Sequence, residues 1–513
     1  MKRMLAAALL LSLLFTLSGC GEWEEEPHND LYETLADYYG KNEDEDTPPV
    51  LTSFALPYLS GETADPITCI DGAQQTLGTL LYEGLFTLDP CFVPQLMLAE
   101  SCSYDDAACR YTVTLRQGVL FSDETELTAR DVVYSLNRAK TSARYASRLA
   151  DAVSISSSGS YTVIIQLSRD NAAFAARLDI PIVKSGTGGR TYPIGTGPYY
   201  YLSDETGAHL AVNSHWWQKK ELPLSRIELV RCKDSDTMAY AFYAREIQLM
   251  MCDLTATATA NVYGSGNYTD AATTTMQYIG VNTTRPVLAS SAVRQALSLG
   301  IDRQGCIDAF FLGHALAAQS PVSPVSALYP QSLDTPYSPD NFDSAMVRAG
   351  YSGETTVRLT LLVNTENSFK LDAARRIAQD LSHHGLQISV KALPWEQYLL
   401  ALQNGEFDLY YGECRLSADW DLRSLVGTGG ALNFGGYTSA RTDALLSAAM
   451  SAGEAERAEA MLTLCTQLQQ DSPILPICFK NVSVLLPSGA VESITPTAAN
   501  PFYGLTDWQI DLG

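Results

Sequence analysis

Positive charge is what this sequence has least of. Across 513 residues, 34 lysines and arginines stand against 58 aspartates and glutamates, a formal net charge of −24. Phosphate backbones repel such a chain, which excludes nucleic acid as a partner. Histidine is scarce too. The six histidines contain one adjacent pair, His383-His384, at the predicted end of a helix, where a cation complements the helix dipole better than it suggests a metal. None of the eleven cysteines forms a C-x-x-C pair, which argues against a zinc ribbon or a thioredoxin-type redox site. After residue 17 no apolar run is long enough to span a membrane. G-x-S-x-G, H-E-x-x-H, G-x-x-x-x-G-K-[ST] and G-x-G-x-x-G are all missing, so no motif points to an enzyme, a cofactor or a metal.

What is present begins with Met1-Lys2-Arg3 and an apolar run from Met4 to Leu17, the pattern of a secretory signal. It ends Leu17-Ser18-Gly19-Cys20, which resembles the lipobox of a bacterial lipoprotein. That resemblance implies that Cys20 becomes the mature N-terminus, lipid-modified and held at the membrane surface while the fold stays soluble. Residues 21–49 are acidic and poor in apolar side chains, as expected of a disordered tether, and such a tether favours a monomer standing off the membrane. Ten cysteines remain, and an even count outside the cytoplasm permits disulfides. Cys102 with Cys109 is the best local candidate, flanking a predicted hairpin turn. Cys232 with Cys252 and Cys465 with Cys478 are weaker ones.

Helical spacing covers Ala73–Leu81, Ala292–Gly300, Lys370–His384, Trp395–Gln403 and a long Thr442–Leu468, and Thr128 with Asp131 marks a further helix start. Strand patterns cover Tyr111–Leu115, Tyr161–Leu167, Met276–Asn282, Val357–Val363, Leu386–Val390, Phe407–Tyr411, Ile474–Phe479 and Val482–Leu486. Strands alternating with helices imply an α/β fold, with a hairpin-rich block near Cys102–Leu167. One stretch stands out, Gly405–Tyr437. Just past a strand end, Trp420 lies between Asp419 and Asp421, an arrangement better suited to holding a cation or a peptide amine than to filling a core.

Several segments taken in order resemble the family 5 solute-binding proteins of ABC transporters. They are Leu81-Tyr-Glu-Gly-Leu85, Leu98-Ala-Glu-Ser101, Tyr111–Arg116, Gly118–Asp123 with Thr128–Ser135, Pro193–Tyr199, Val293–Leu297 with Ile301–Arg303, and Gly405–Asp408 before Ala418-Asp-Trp420. The resemblance covers almost the whole mature chain. It implies a bilobed type 2 periplasmic-binding-protein fold with an additional third domain. Residues 50–68, 186–280 and 482–513 would form lobe I, 69–185 the additional domain, and 281–481 lobe II. It further implies that a peptide-like solute closes between the lobes and passes to an import permease at the cell surface or in the periplasm, with no chemistry done on it. A nickel chelate, haem, an oligosaccharide or an opine is the alternative solute. A lipid-anchored sensor or hydrolase is the alternative function.

Matched residue by residue, Asp419 takes the place of the aspartate that faces the peptide amine, with Trp420 beside it; capping the next helix is the other reading, and the favoured one for Asp421. Trp395 matches an aromatic of the cleft, or packs in the core. Asn433 and Tyr437 match a loop that closes over ligand, or simply shape that loop. Tyr145 and Ala73 match segments that approach the peptide backbone. Leu422 stands where the family commonly has proline, and Arg415 and Arg423 lie close enough in sequence to answer a ligand carboxylate or to neutralise Asp419.

Overall fold

The computed structural model describes residues 53–256, 267–351, 356–383 and 385–511. Cys20, the apolar run before it, the acidic segment and His384 lie outside these. Among the described residues no helix is long and apolar enough to cross a membrane.

Three larger sheets organise the chain. The first orders Ala55–Leu59, Arg226–Cys232, Gly207–Val212 and Tyr199–Asp204, with the outermost pair parallel and the rest antiparallel. The second is antiparallel throughout, in the order Ala99–Asp105, Arg110–Leu115, Thr162–Leu167, Ala152–Ser157. Its period-2 pattern has a direct consequence: Tyr111, Val113 and Leu115, with Val163, Ile165 and Leu167, are all buried in one core. The helix Ala129–Ala139 closes that core with Val132, Leu136 and Ala139. Each such aliphatic or aromatic side chain contributes about 1.5–3 kcal/mol by leaving water. At the start of this helix the Asp131 carboxylate accepts from the Thr128 amide at 3.0 Å and its hydroxyl at 2.8 Å, fixing the first turn.

The third sheet runs Met250–Cys252, Ile474–Leu486, Asn267–Val281, Leu409–Arg415, Val357–Asn364, Leu386–Leu393. Val357–Asn364 lies between two parallel neighbours, and its second half is covered on both faces, where Leu361, Leu362 and Val363 follow one another as apolar residues. Successive residues of its neighbour serve different cores: Leu409 and Tyr411 pack with Ile279 and Val281, and Tyr410 with Phe407 and Trp420.

Two long strands of this sheet, Asn267–Val281 and Ile474–Leu486, pair from Asn267 opposite Leu486 to Gly280 opposite Ile474. One end of the ribbon places Val484 and Leu486 in the core of the first sheet, and the other places Ile279, Val281 and Leu475 in a core of the third. Between Ala272 and Met276 the register shifts, and hydroxyls take over bonding: Thr273 Oγ1 donates to the Lys480 carbonyl and Thr274 Oγ1 to that of Leu416, both at 2.7 Å.

Several predicted elements differ from those observed. The long helix is two, Ala440–Ser451 and Arg457–Asp471, because Ala452 turns extended ahead of Gly453. The two final strands are one, and the helix predicted to reach His384 ends at Asp380. The strand expected over Phe407–Tyr411 runs from Leu409 to Arg415. All ten cysteines of the described residues are free thiols, so none of the three pairings forms. Cys102 sits mid-strand opposite Val113, whereas Cys109 lies in the turn just before Arg110 with a positive φ. Cys465 and Cys478 belong to separate cores of the third sheet. Cys232 ends a strand of the first sheet opposite Leu59, and Cys252 faces Ser483 in the third.

Candidate binding cavity

A cavity of about 950 Å³ is lined by strand residues of the third sheet and by helical and loop segments that pack with the cores of the other two. Its floor is the irregular part of the ribbon, residues 272–275. One wall comes from the helix Gly72–Leu81 and residues 144–151 and 176–181, the opposite wall from residues 415–418 with Asp421 and Ser424, and a third from the C-terminal segment 496–506. This volume is within the range of small-molecule and short-peptide sites.

The wall around Glu83 is held by a tight turn. Gly195 and Gly197 let residues 194–198 pass against the end of the helix, where a Cβ at either position would run into the carbonyl oxygens of Leu81 and Leu80. Glu83 then accepts from the indoles of Trp216 at 3.0 Å and Trp217 at 2.9 Å, and from Thr196 Oγ1 at 2.8 Å. Burial pushes its carboxyl above the usual range, and these hydrogen bonds pull it part of the way back.

Tyr145 is on the cavity wall, and so are Arg415 and Asp421, whereas the other residues nominated from the sequence for solute contact are not. Arg144 lies over its ring at 5.0 Å and Arg148 at 5.5 Å. Arg415, at the end of its strand, is near enough for its charge to act on both Tyr145 and Arg144. Burial first, and then the neighbouring guanidiniums, push Arg148 down to about 10. Arg415 is lowered by the same two causes, burial ahead of Arg144. The sequence signal for this group is the pattern Arg144-Tyr-x-x-Arg148 in a chain so short of basic residues.

Asp419 stands elsewhere. Its side chain is fully buried and the cation beside it is internal: Arg177 Nε donates to Oδ2 at 2.6 Å and Asn171 Nδ2 to the same oxygen at 2.8 Å. The same guanidinium reaches Asp421 through Nη2 at 2.9 Å, and Arg423 grips Asp421 with Nε at 2.8 Å and Nη2 at 2.7 Å. Asp151 adds a third carboxylate near Arg177, taking Arg169 Nε at 2.8 Å. Burial lowers Arg177, but Asp419, Asp421 and Asp151 outweigh it and leave the guanidinium raised. The Asp419 backbone carbonyl accepts from Arg457 Nη2 at 2.7 Å.

Trp420 makes this geometry possible. Its φ of 53° is in the left-handed region, unusual for a bulky side chain. With the chain turned there, both flanking carboxylates reach Arg177 while the indole enters the core, edge-on to Phe92 at 5.5 Å and Phe479 at 5.9 Å. An aromatic between two carboxylates is therefore a core residue here, contrary to the reading from composition.

The remaining nominated residues also lie off the cavity wall. Asn433 Nδ2 ties its own loop together through the carbonyls of Gly427 at 2.9 Å and Tyr437 at 2.7 Å. The Tyr437 hydroxyl bonds Thr442 at 2.7 Å and donates to Asp471. Trp395 opens its helix half-exposed, stacked on Tyr398 at 5.7 Å. Ala73 is buried in the helix whose neighbours Gly72 and Gln74 reach the cavity. No group of three or more His, Cys, Asp or Glu suited to a metal occurs among the described residues.

With this geometry in view, comparison with known proteins defines the class. The chain is similar in fold to the murein tripeptide-binding protein MppA in its unliganded open form, with a TM-score of 0.76 at 18% identity over 90% of this chain and 98% of the other. It is also similar in fold to AppA from Bacillus subtilis in complex with a nonapeptide, with a TM-score of 0.61 at 22% identity over 90% and 99%. These matches place it in the bilobed type 2 periplasmic-binding-protein fold with an additional domain. In sequence it is 27% identical over 445 residues to the glutathione-binding protein GsiB of Escherichia coli (strain K12), covering 81% of this chain and 86% of that one. The model described as bacterial extracellular solute-binding proteins, family 5 Middle, matches residues 93–426. The chain belongs to that family, whose members bind solutes and do not catalyse.

Proposed function

We propose that this protein captures a peptide-like solute in the cavity and delivers it to the permease of an ABC importer. It does so as a monomer outside the cytoplasm, anchored by lipid on Cys20. The observation that carries the reading is the place of the cavity, over the irregular step of the two-stranded ribbon and between walls that pack with different cores. A few torsions at residues 272–276 would swing one wall against the other, with the ligand favouring the closed arrangement. In this reading 50–68, 186–280 and 482–513 move as lobe I together with domain 69–185, and 281–481 as lobe II. Tyr145 touches the solute. Asp419, Trp420, Asn433, Tyr437, Trp395 and Ala73 act at one remove, by holding the walls. The names of GsiB, AppA and MppA support a peptide-like solute.

Native mass spectrometry of protein purified from cells, followed by calorimetry with a di- to pentapeptide panel and glutathione, tests this. A co-purified peptide mass, or micromolar binding within the panel, is expected. A co-purified metal chelate, haem or sugar, with no peptide bound, would overturn it.

A further inference from the structure

The segment 69–185, which carries the second sheet, is attached to its two neighbours in different ways. Towards the first sheet the attachment is apolar: Leu77, Leu80, Leu81 and Val183 are buried in one core with Phe54 and Tyr199. Towards the third sheet it is polar. Arg177 donates to Asp419 and Asp421, and Asn171 to Asp419. Asp151 lies 3.5 Å from Arg423, and the Ala172 amide donates to the Met450 carbonyl at 2.8 Å. Among the described residues Phe92, edge-on to Trp420, is the one side chain of the segment packed into the core around that indole.

An interface of charges and amides parts in water more readily than an apolar one, because water solvates every group that it releases. This seam also leaves two groups short. Asp419 Oδ1 and Arg457 Nε are buried with no hydrogen-bond partner among the described residues. Separation would hydrate both, which offsets part of the attraction given up. Arg177, Asp151 and Asp421 line the cavity too, so the seam opens onto it.

We propose that Arg177 works a reversible latch. With Asn171 it holds residues 69–185 against Asp419 and Asp421, and its release opens the cavity on that side while both cores stay folded. The chain thereby supplies its own cation for closing. The use of the latch rests on the reading of capture in the cavity; its existence does not.

Hydrogen exchange of the full chain without added solute, read by mass spectrometry on overlapping peptides, tests this at the amide that crosses the seam. In the wild type, Ala172 should exchange at least about tenfold faster than the central strands Arg110–Leu115 and Leu409–Arg415, one from each side. Arg177→Lys, a point charge unable to bridge both carboxylates as the guanidinium does, should speed Ala172 by about three- to tenfold and leave both strands protected. Arg177→Gln, which strands Asp419 in the dry seam, should speed it further and enlarge the radius of gyration in small-angle scattering. Arg177→Lys decides alone should Arg177→Gln not fold. Three results would overturn the latch: a wild-type Ala172 as protected as the two strands, no acceleration in Arg177→Lys, or an acceleration there that both strands share. Failure to bind glutathione or any peptide would instead defeat the reading of the solute and leave these rates unchanged.

Discussion

Arg177 Nε lies 2.6 Å from Asp419 Oδ2, the arginine 6% exposed and the aspartate 0%, although 242 residues separate them in the chain. Arg177 belongs to the core of the second sheet's region through Phe174, over whose ring its guanidinium lies at 5.7 Å, and Asp419 adjoins the third sheet. The pair is thus a dry clamp between two cores. Removing one partner of such a pair leaves the other charge buried and alone.

Arg177→Met is therefore expected to destabilise the protein by about 3–5 kcal/mol, since Asp419 and Asp421 lose their shared cation. Pairing it with Asp419→Asn should recover part of the loss. Urea unfolding followed by circular dichroism measures both. A loss below about 1 kcal/mol for the single variant would show the clamp to be unimportant.

Acid should weaken the same cluster through Asp421. Burial pushes its carboxyl up, but the hydrogen bonds and charge of Arg423, then the charge of Arg177, outweigh burial and hold it at about 2. A depressed folded-state value stabilises above the unfolded value, and that stability drains away as pH falls toward about 2. Relative to a free aspartate this amounts to about 2 kcal/mol. Stability measured between pH 5 and pH 2 should fall less steeply in Asp421→Asn than in the wild type. Parallel curves would refute the assignment.

Position, rather than residue type, separates the nominated aromatics. Tyr145 is on the cavity wall and Trp395 is half-exposed away from it. Tyr145→Ala is expected to weaken solute binding about tenfold or more, as loss of a buried contact residue does. Trp395→Ala should change it by less than about twofold. Calorimetry with whichever solute co-purifies decides, and the reverse order of effects would move the site to Trp395.

The glycine turn gives a prediction about stability without chemistry. A methyl at Gly195 meets the Leu81 carbonyl, which is backbone and cannot step aside. Gly195→Ala should cost about 1–3 kcal/mol and lower the melting temperature, whereas Gly118→Ala, with open space around it, should act only through its positive φ of 72°. Differential scanning calorimetry of the two variants checks this, with the larger fall expected at Gly195. An unchanged melting temperature in Gly195→Ala would mean that the chain can shift there.

Much of the fold was legible because it is local. The alternation at Tyr111–Leu115 and Thr162–Leu167 builds its sheet without help, Thr128 and Asp131 mark a helix start, and the glycines at 195 and 197 announce a close passage of backbone. The apolar spacing continues through the break at Ala452 and hides it, and the three expected cysteine pairings do not form because sequence proximity says nothing about which core a side chain faces.

The sequence by itself determined the alternating strands and helices, the absence of catalytic motifs and the presence of a cation-holding pair of carboxylates around Trp420. Only the tertiary structure decided which cation they hold. Spacing along a chain sets periodicity, but pairing across 242 residues depends on how separate cores pack. Arg177 reaches Asp419 from another core, so this aspartate is paired inside the protein and lies off the cavity wall.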